Sequence, residues 1–218
     1  FIPRIQGNEK TIDASSATID SIKKYKIINP NKAIEFCFEV FTRNPGTVSL
    51  SLVDAQVNLG DILFSKGLNL EALEYYNSAN TNINLIPIKK KRSAPWILVN
   101  IGNVYYSMKD FDKAAEIYEE AITYFNTMMP REHRDLGLST CNDNLALVES
   151  SKGNVENAIE YAEKSLDIRL KLDNKGDIIY SYSLLIGLHL QQDSIDLSFQ
   201  YLNKAIEAYE SNISINDL

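Results

Sequence analysis

Apolar residues recur along the chain with the spacing of one helix face, in stretches separated by short polar breaks. The pattern predicts ten helices in five successive pairs. The pairs are 10–27 with 31–43, 48–66 with 69–83, 94–108 with 111–127, 133–152 with 155–171, and 176–191 with 195–211. The breaks inside the pairs carry residue types that end one helix in the left-handed conformation or begin the next. They are Asn29-Pro30, Gly67, Lys109-Asp110, Gly153-Asn154 and Asp193-Ser194.

A fixed spacing recurs between the two helices of a pair. In three pairs, 12 residues separate a small residue of the first helix from an Ala of the second: Gly60 and Ala72, Gly102 and Ala114, and Ala146 and Ala158. Positions four and seven residues beyond that Ala lie on the same helix face and form a ridge, as in Ala72, Tyr76 and Ala79. Because small residues let a neighbouring helix approach closely, we expect each pair to pack on the next in one array.

These residues resemble the tetratricopeptide repeat (TPR), which carries Leu-Gly on its first helix and Ala with an aromatic residue on its second. The best matches are Leu98, Ile101-Gly102, Tyr105, Ala114 and Tyr118 in the third pair, and Leu59-Gly60, Leu63, Ala72 and Tyr76 in the second. Equivalent small residues are 39, 42, 44 and 40 positions apart, whereas the standard repeat has about 34 residues. The long repeats are similar to a subgroup that includes kinesin light chains, cell-polarity adaptors and bacterial signalling proteins.

The resemblance implies an all-α fold, namely a right-handed α-solenoid of about five TPR-like helical hairpins. It covers nearly the whole chain, so we predict a single superhelical domain over residues 1–218. The expected repeats are approximately 14–47, 53–86, 95–128, 139–172 and 179–212. The last hairpin carries apolar residues such as Leu202 and Ile206 on the face that a further hairpin would cover. We therefore predict that the chain is a fragment, or a homodimer through its C-terminal hairpin.

The resemblance also implies that the first helix of each hairpin lines a concave groove. The helical period then selects the residues that face inward, and we predict that they bind a partner. They are Asn58, Asp61, Phe64, Trp96, Asn100, Asn103, Tyr106, Asp143, Asn144 and Tyr180. Asn58, Asn100 and Asn144 recur at equivalent positions, and an amide can bond a ligand backbone whatever its side chains. The aromatic rings offer apolar anchors, and the carboxylates favour a basic segment.

A second interpretation of these residues stays open. An Asn before Leu can be bonded locally within its own hairpin, and Tyr or Trp can fill the core between helices.

The basic cluster Lys89-Lys90-Lys91-Arg92 is predicted to be a solvated edge. Phe1, Ile2 and Ile5 are expected to fold back on the first hairpin.

Composition narrows the function. The chain has 22 Lys and Arg against 29 Asp and Glu, and its net charge of -7 disfavours nucleic acid as a partner. No apolar run approaches the length of a membrane span, which predicts a soluble chain without membrane insertion, either cytoplasmic or periplasmic. The two Cys lie on different hairpins from each other, as do the two His, and this spacing indicates no metal site. No nucleophile, phosphate-loop or zinc-protease motif occurs, so we predict no catalytic residue and no cofactor.

These features favour a non-enzymatic protein–protein interaction scaffold that binds a protein or peptide segment, predicted to be basic, in its groove. The resemblance to repeat regions of bacterial sensor kinases and regulators implies a sensory or docking module. The alternative is a receptor for a small signalling peptide or ligand whose binding changes the curvature of the superhelix. The sequence leaves the identity of the partner, the compartment and the oligomeric state open.

Overall fold

The chain forms ten α-helices in a computed structural model, which describes residues 10–43, 45–87, 93–173 and 175–216; these residues contain no β-strand. The helices are α1 Lys10–Ile28, α2 Pro30–Arg43, α3 Leu50–Ser65, α4 Asn69–Asn84, α5 Ala94–Ser107, α6 Phe111–Met128, α7 Arg131–Ser151, α8 Val155–Leu172, α9 Lys175–Gln191 and α10 Ile195–Asn216. The prediction of ten helices is confirmed, and four of the five predicted pairs pack as expected: α1 with α2, α3 with α4, α7 with α8 and α9 with α10. The largest difference is at the end of α10, which continues to Asn216 instead of ending at 211. The basic cluster 89–92 and Phe1, Ile2 and Ile5 lie outside the described residues.

The turns inside the last four pairs share one backbone conformation. One residue in each turn has a positive φ, namely 75° at Gly67, 62° at Lys109, 85° at Gly153 and 55° at Asp193. The next N–H then donates to a carbonyl five residues earlier, as in the 2.8 Å bond from the Asn154 N–H to the last turn of α7. This is the Schellman motif, which satisfies carbonyls at a helix end and reverses the chain. The four predicted breaks therefore lie where the helices end.

The described helices belong to two compact units, Phe1–Val104 and Tyr105–Leu218. The prediction of one domain over residues 1–218 stays a prediction. None of the helices in the described residues is both long enough and apolar enough to cross a membrane.

In the first unit, α1 packs on α2 and α3, and α3 packs on α4. Ile19 and Ile22 of α1 share a core with apolar residues of α2 and α3. The ridge residues Ala72, Tyr76 and Ala79 of α4 are buried. A Cβ added at Gly60 would lie 2.6 Å from the Tyr76 ring, so only Gly allows α3 and α4 to approach this closely.

In the second unit, α6 packs on α7, α7 on α8, α8 on α9 and α9 on α10. The small ridge residues Ala158 and Ala162 of α8 share a core with Ile178, Tyr182 and Leu185 of α9. They have no side chain beyond Cβ, so α9 can approach the α8 backbone and bury both helices. A second close approach joins α6 and α7, where a Cβ added at Gly137 would lie 2.2 Å from the ring of Phe125.

Candidate functional site

Asp61 connects the first helices of the first unit. Lys26 Nζ of α1 donates to Asp61 Oδ2 at 2.7 Å, and Asn100 Nδ2 of α5 donates to Asp61 Oδ1 at 3.3 Å. The Tyr76 hydroxyl of α4 donates to the same Oδ1 at 2.7 Å. We refer to Lys26, Asp61, Tyr76 and Asn100 as the Asp61 network. It brings together two of the predicted site residues, Asp61 and Asn100, which are both half-buried.

The electrostatics of the Asp61 network differ between its surface and its base. The side chains of Lys26 and Asp61 are each about one-third exposed, so their ion pair contributes at most about 1 kcal/mol to stability. Burial raises the pKa of the Tyr76 hydroxyl, and the adjacent Asp61 carboxylate raises it further. The phenol therefore stays a hydrogen-bond donor, which holds the carboxylate in place.

The other predicted residues of the first unit lie on α3 and α5. Asn58 is buried, and its Nδ2 donates to the backbone carbonyl of Asp54 in the same helix at 2.8 Å. Local bonding, the second interpretation of the Asn residues, therefore describes the Nδ2 bond of Asn58, whereas Asn100 bonds across helices. The remaining residues are half-buried and are Phe64, Trp96 and Asn103.

In the second unit, Asp143 lies in a buried ion pair that the sequence did not predict. Asp143 of α7 is 3% exposed and Arg169 of α8 is 6% exposed, with Arg169 Nη2 2.5 Å from Asp143 Oδ2. Arg169 Nη1 donates to Ser181 Oγ of α9 at 2.7 Å and to the Asp177 backbone carbonyl at 3.2 Å. We refer to Asp143, Arg169 and Ser181 as the Arg169 cluster. Burial raises the pKa of Asp143, and the charge of Arg169 opposes that rise.

Tyr180 covers the Arg169 cluster. Its ring centroid lies 5.2 Å from Arg169 Cζ, and 48% of its surface is exposed. A guanidinium against an aromatic face is attractive, and the exposed part of the ring remains accessible to a partner. Arg169 lies four residues after Ser165, on the extension of the α8 ridge, and this spacing was the signal in the sequence that could have identified it.

Two further predicted residues of the second unit are Tyr106 and Asn144. The Tyr106 hydroxyl hydrogen-bonds Ser151 Oγ of α7 at 3.0 Å, and its ring lies 5.6 Å from that of Phe111. Asn144 is half-buried on α7. The structure thus places Asn58 and Asn100 in the first unit and Asn144 in the second. A continuous row of the three Asn side chains stays a prediction.

The two cysteines lie outside the Asp61 network and the Arg169 cluster. Cys37 and Cys141 are buried free thiols, and burial raises the pKa of each to about 12. Across the part of the chain that the structure describes, no three His, Cys, Asp or Glu side chains converge as metal ligands would.

Comparison with known families identifies the repeat. Two family models described as "Tetratricopeptide repeat" match residues 51–127 and 140–171, together half of the chain. The chain is a tetratricopeptide-repeat protein. The matched ranges include the Gly60–Tyr76 contact, Asp61 and Asn100 of the Asp61 network, and the α8 ridge. No sequence among the curated proteins matches the chain.

Several solved structures have the same fold. A kinesin light chain with TPR-like repeats from Podosopora anserina matches with a TM-score of 0.72 at 14% identity, over 95% of this chain and 100% of that one. The apo form of RapI matches with a TM-score of 0.75 at 16% identity, over 96% of this chain but only 57% of RapI. A Rap conjugation gene regulator of plasmid pLS20, in complex with the Phr* peptide, matches with a TM-score of 0.62 at 15% identity, over 89% of this chain and 63% of that one. The predicted fold class, an all-α TPR solenoid, is confirmed.

Proposed function

We propose that this TPR chain binds an extended segment of a partner protein along the first helices of its hairpins. The TPR fold is typically a non-enzymatic scaffold for protein–protein interactions, which supports the general role. The Asp61 network is the observation on which the specific proposal rests. It aligns polar side chains from the first helices α1, α3 and α5 and leaves them partly exposed.

In the first unit, the Asp61 network offers both donors and acceptors to a peptide backbone. Asn100 has a second amide hydrogen and a carbonyl oxygen beyond its bond to Asp61. Phe64 of α3 and the α5 residues Trp96 and Asn103 would contact side chains of the ligand. Asn58 supports this surface from below, through its bond within α3.

In the second unit, Tyr180 is the principal proposed contact with the partner. Tyr106 and Asn144 are further proposed contacts. The exposed Tyr180 ring would pack on an apolar side chain of the partner. Asp143 is buried, so we assign it a positioning role: its charge holds Arg169, and Arg169 holds the ring.

A preference for a basic partner is part of the proposal. Asp61 already pairs with Lys26, so a Lys or Arg of the partner must replace or share that contact. Exchange of one exposed ion pair for another is nearly neutral in energy. We therefore expect the preference to be modest and to weaken with added salt.

The test is selection of binding peptides from a random library displayed on phage, with the full chain as bait. Affinity of the selected peptides is then measured for Asn100→Ala, Asn144→Ala and Tyr180→Ala. Each should weaken binding by about tenfold, the equivalent of about 1.4 kcal/mol, without a matching loss in melting temperature. Glu120→Gln, on the exposed face of α6, is the matched control and should bind as the parent does. Unchanged affinity in all three variants, or a lower melting temperature alone, would contradict the proposal.

A second candidate function is a receptor for a small signalling peptide in a bacterial regulatory protein. The fold likeness to RapI and to the Rap regulator with its bound Phr* peptide favours it. This function requires the bound peptide to change the superhelix curvature, whereas a docking scaffold needs no such change. Small-angle scattering with and without a selected peptide separates the two functions: a reduced radius of gyration supports the receptor, and an unchanged radius supports the scaffold.

A further inference from the structure

An apolar groove lies between α9 and α10 in the last hairpin. It encloses about 160 Å³ and is lined by Ile186, Leu190, Ile195, Ser198, Phe199 and Leu202. Most of these side chains are aliphatic or aromatic, and Phe199 is exposed. Along α10 the apolar surface continues to Ile206 and Tyr209, which are also exposed. We refer to the groove and this continuation as the α9–α10 groove.

The preceding hairpin shows what such a groove accepts. Positions 40 residues earlier are equivalent in the repeat, so Leu202 corresponds to Ala162 and Ile206 to Leu166. Leu202 is 41% exposed, whereas Ala162 is fully buried in the core that α8 shares with α9. The surface of α8 that contains Ala162 and Leu166 is thus covered by a helix, α9, and the equivalent surface on the last hairpin is apolar and exposed.

Acidic residues beside the α9–α10 groove favour a positively charged partner. The helical period places Asp196 and Glu210 on the flank of α10 opposite its buried positions Ser198 and Ala205. A third acidic residue, Asp193, is exposed in the turn before α10. This edge of the groove is therefore acidic and attracts a cationic partner.

Positive charge on α10 is directed elsewhere. Lys204 is the single cationic residue among the described side chains of α10. The Nζ of Lys204 lies 5.0 Å from the ring centroid of Tyr201, on the other side of the helix from the acidic flank. A second copy of this chain would bring two acidic edges together, in a protein of net charge -7. The charge distribution thus disfavours the homodimer through the C-terminal hairpin as the occupant.

We propose that the α9–α10 groove docks an amphipathic helix of a partner protein, with an apolar face and basic flanks. The apolar face packs into the groove as α9 packs on α8, and Lys or Arg residues on one flank meet Asp196 and Glu210. This surface shares the helix α9 with the proposed function but none of the residues named there, and each proposal can fail without the other.

The first experiment measures binding of a synthetic helix to the full chain by fluorescence anisotropy. The probe is an Ala-rich peptide of about 18 residues, long enough to be helical alone, with Leu on one face and Lys on both flanks. Two comparison peptides have Glu on the flanks or the same composition in scrambled order. The Lys-flanked helix should bind at least about tenfold more tightly than either, and its affinity should fall as salt is added. Equal binding of the scrambled peptide would overturn the proposal.

Variants then locate the site. Leu202→Ser with Ile206→Ser should weaken the Lys-flanked helix by about tenfold or more, because both lose apolar contact area. Leu70→Ser on α4 is the matched control, because that Leu is also exposed and should not affect binding. Asp196→Lys with Glu210→Lys should reverse the preference towards the Glu-flanked helix. Equal loss in the Leu70 control, or an unreversed preference, would overturn the proposal.

Light scattering on the parent chain over a range of concentrations tests the competing occupant. A monomer at all concentrations agrees with a groove that is open to a partner helix. A dimer that Leu202→Ser dissociates would assign the groove to a second copy of the chain and overturn the proposal.

Discussion

Two substitutions at the left-handed positions of helix–helix turns should have opposite effects on the stability of the second unit: Gly153→Ala should lower it and Lys109→Gly should raise it. Gly153 has φ of 85° and Lys109 has φ of 62°, and each ends the first helix of its pair. A Cβ added at Gly153 would have no heavy atom within 4 Å, so the substitution introduces no steric contact. The expected effects therefore arise from the backbone alone.

The magnitude follows from two opposing contributions. A residue with a Cβ in the left-handed region costs about 1–2 kcal/mol relative to Gly. Gly, however, loses more conformational entropy on folding, which offsets about 0.4–1 kcal/mol of that difference. Gly153→Ala should therefore destabilise by about 0.5–1.5 kcal/mol, and Lys109→Gly should stabilise by a similar amount. Asp193→Gly should stabilise less, because Asp tolerates this conformation better than Lys does.

The assay is urea unfolding followed by circular dichroism at equal protein concentration. The midpoint should fall for Gly153→Ala and rise for Lys109→Gly, with unchanged slopes. In native-state hydrogen exchange, the amides of α7 and α8 should be less protected in the Gly153→Ala variant than in the parent protein. A neutral Gly153→Ala together with a destabilised Lys109→Gly would refute the reasoning, since both results contradict a backbone cost at this position.

Three other perturbations test the buried parts of the molecule. Asp143→Ala leaves the Arg169 guanidinium buried and unpaired, which should cost about 3–5 kcal/mol in urea unfolding; replacing both residues by Leu and Met should cost much less. Gly137→Ala forces a methyl group onto the aromatic ring of α6 and should destabilise by about 1–3 kcal/mol. Cys37 and Cys141 should react with an aromatic disulfide reagent at pH 8 only after unfolding, because burial raises both thiol pKa values to about 12.

Each of these predictions has an internal control. Gly187→Ala on α9 meets no heavy atom within 4 Å and should be neutral or slightly stabilising, unlike the substitution at Gly137. For the ion pair, a double variant as unstable as the two single variants combined would show that pairing is not the cause. For the thiols, rapid reaction of either Cys in the folded protein would contradict its burial.

The local features of the fold were accessible from the sequence, because short-range interactions determine them. Gly67 and Gly153 indicated the left-handed turns, and the 12-residue spacing from Gly60 to Ala72 indicated the close approach of α3 and α4. Helix ends inside the pairs followed from the same signals, whereas α10 continues to Asn216 past Ser211 and Asn212, which are residue types that can end a helix. The helical period also selected Asp61 and Asn100 as candidate site residues, but only the structure shows that they bond each other.

Only the tertiary structure decided which partner each polar side chain takes. The period placed Asp61 and Asp143 alike on first helices, yet one is partly exposed beside Lys26 and the other is buried beside Arg169. These partners are 35 and 26 residues away in sequence, on different helices. The repeat pattern specifies that helices pack, but the rotation of each helix and the length of each side chain determine which charges meet. Burial, and with it the chemistry of each carboxylate, therefore depends on the three-dimensional packing.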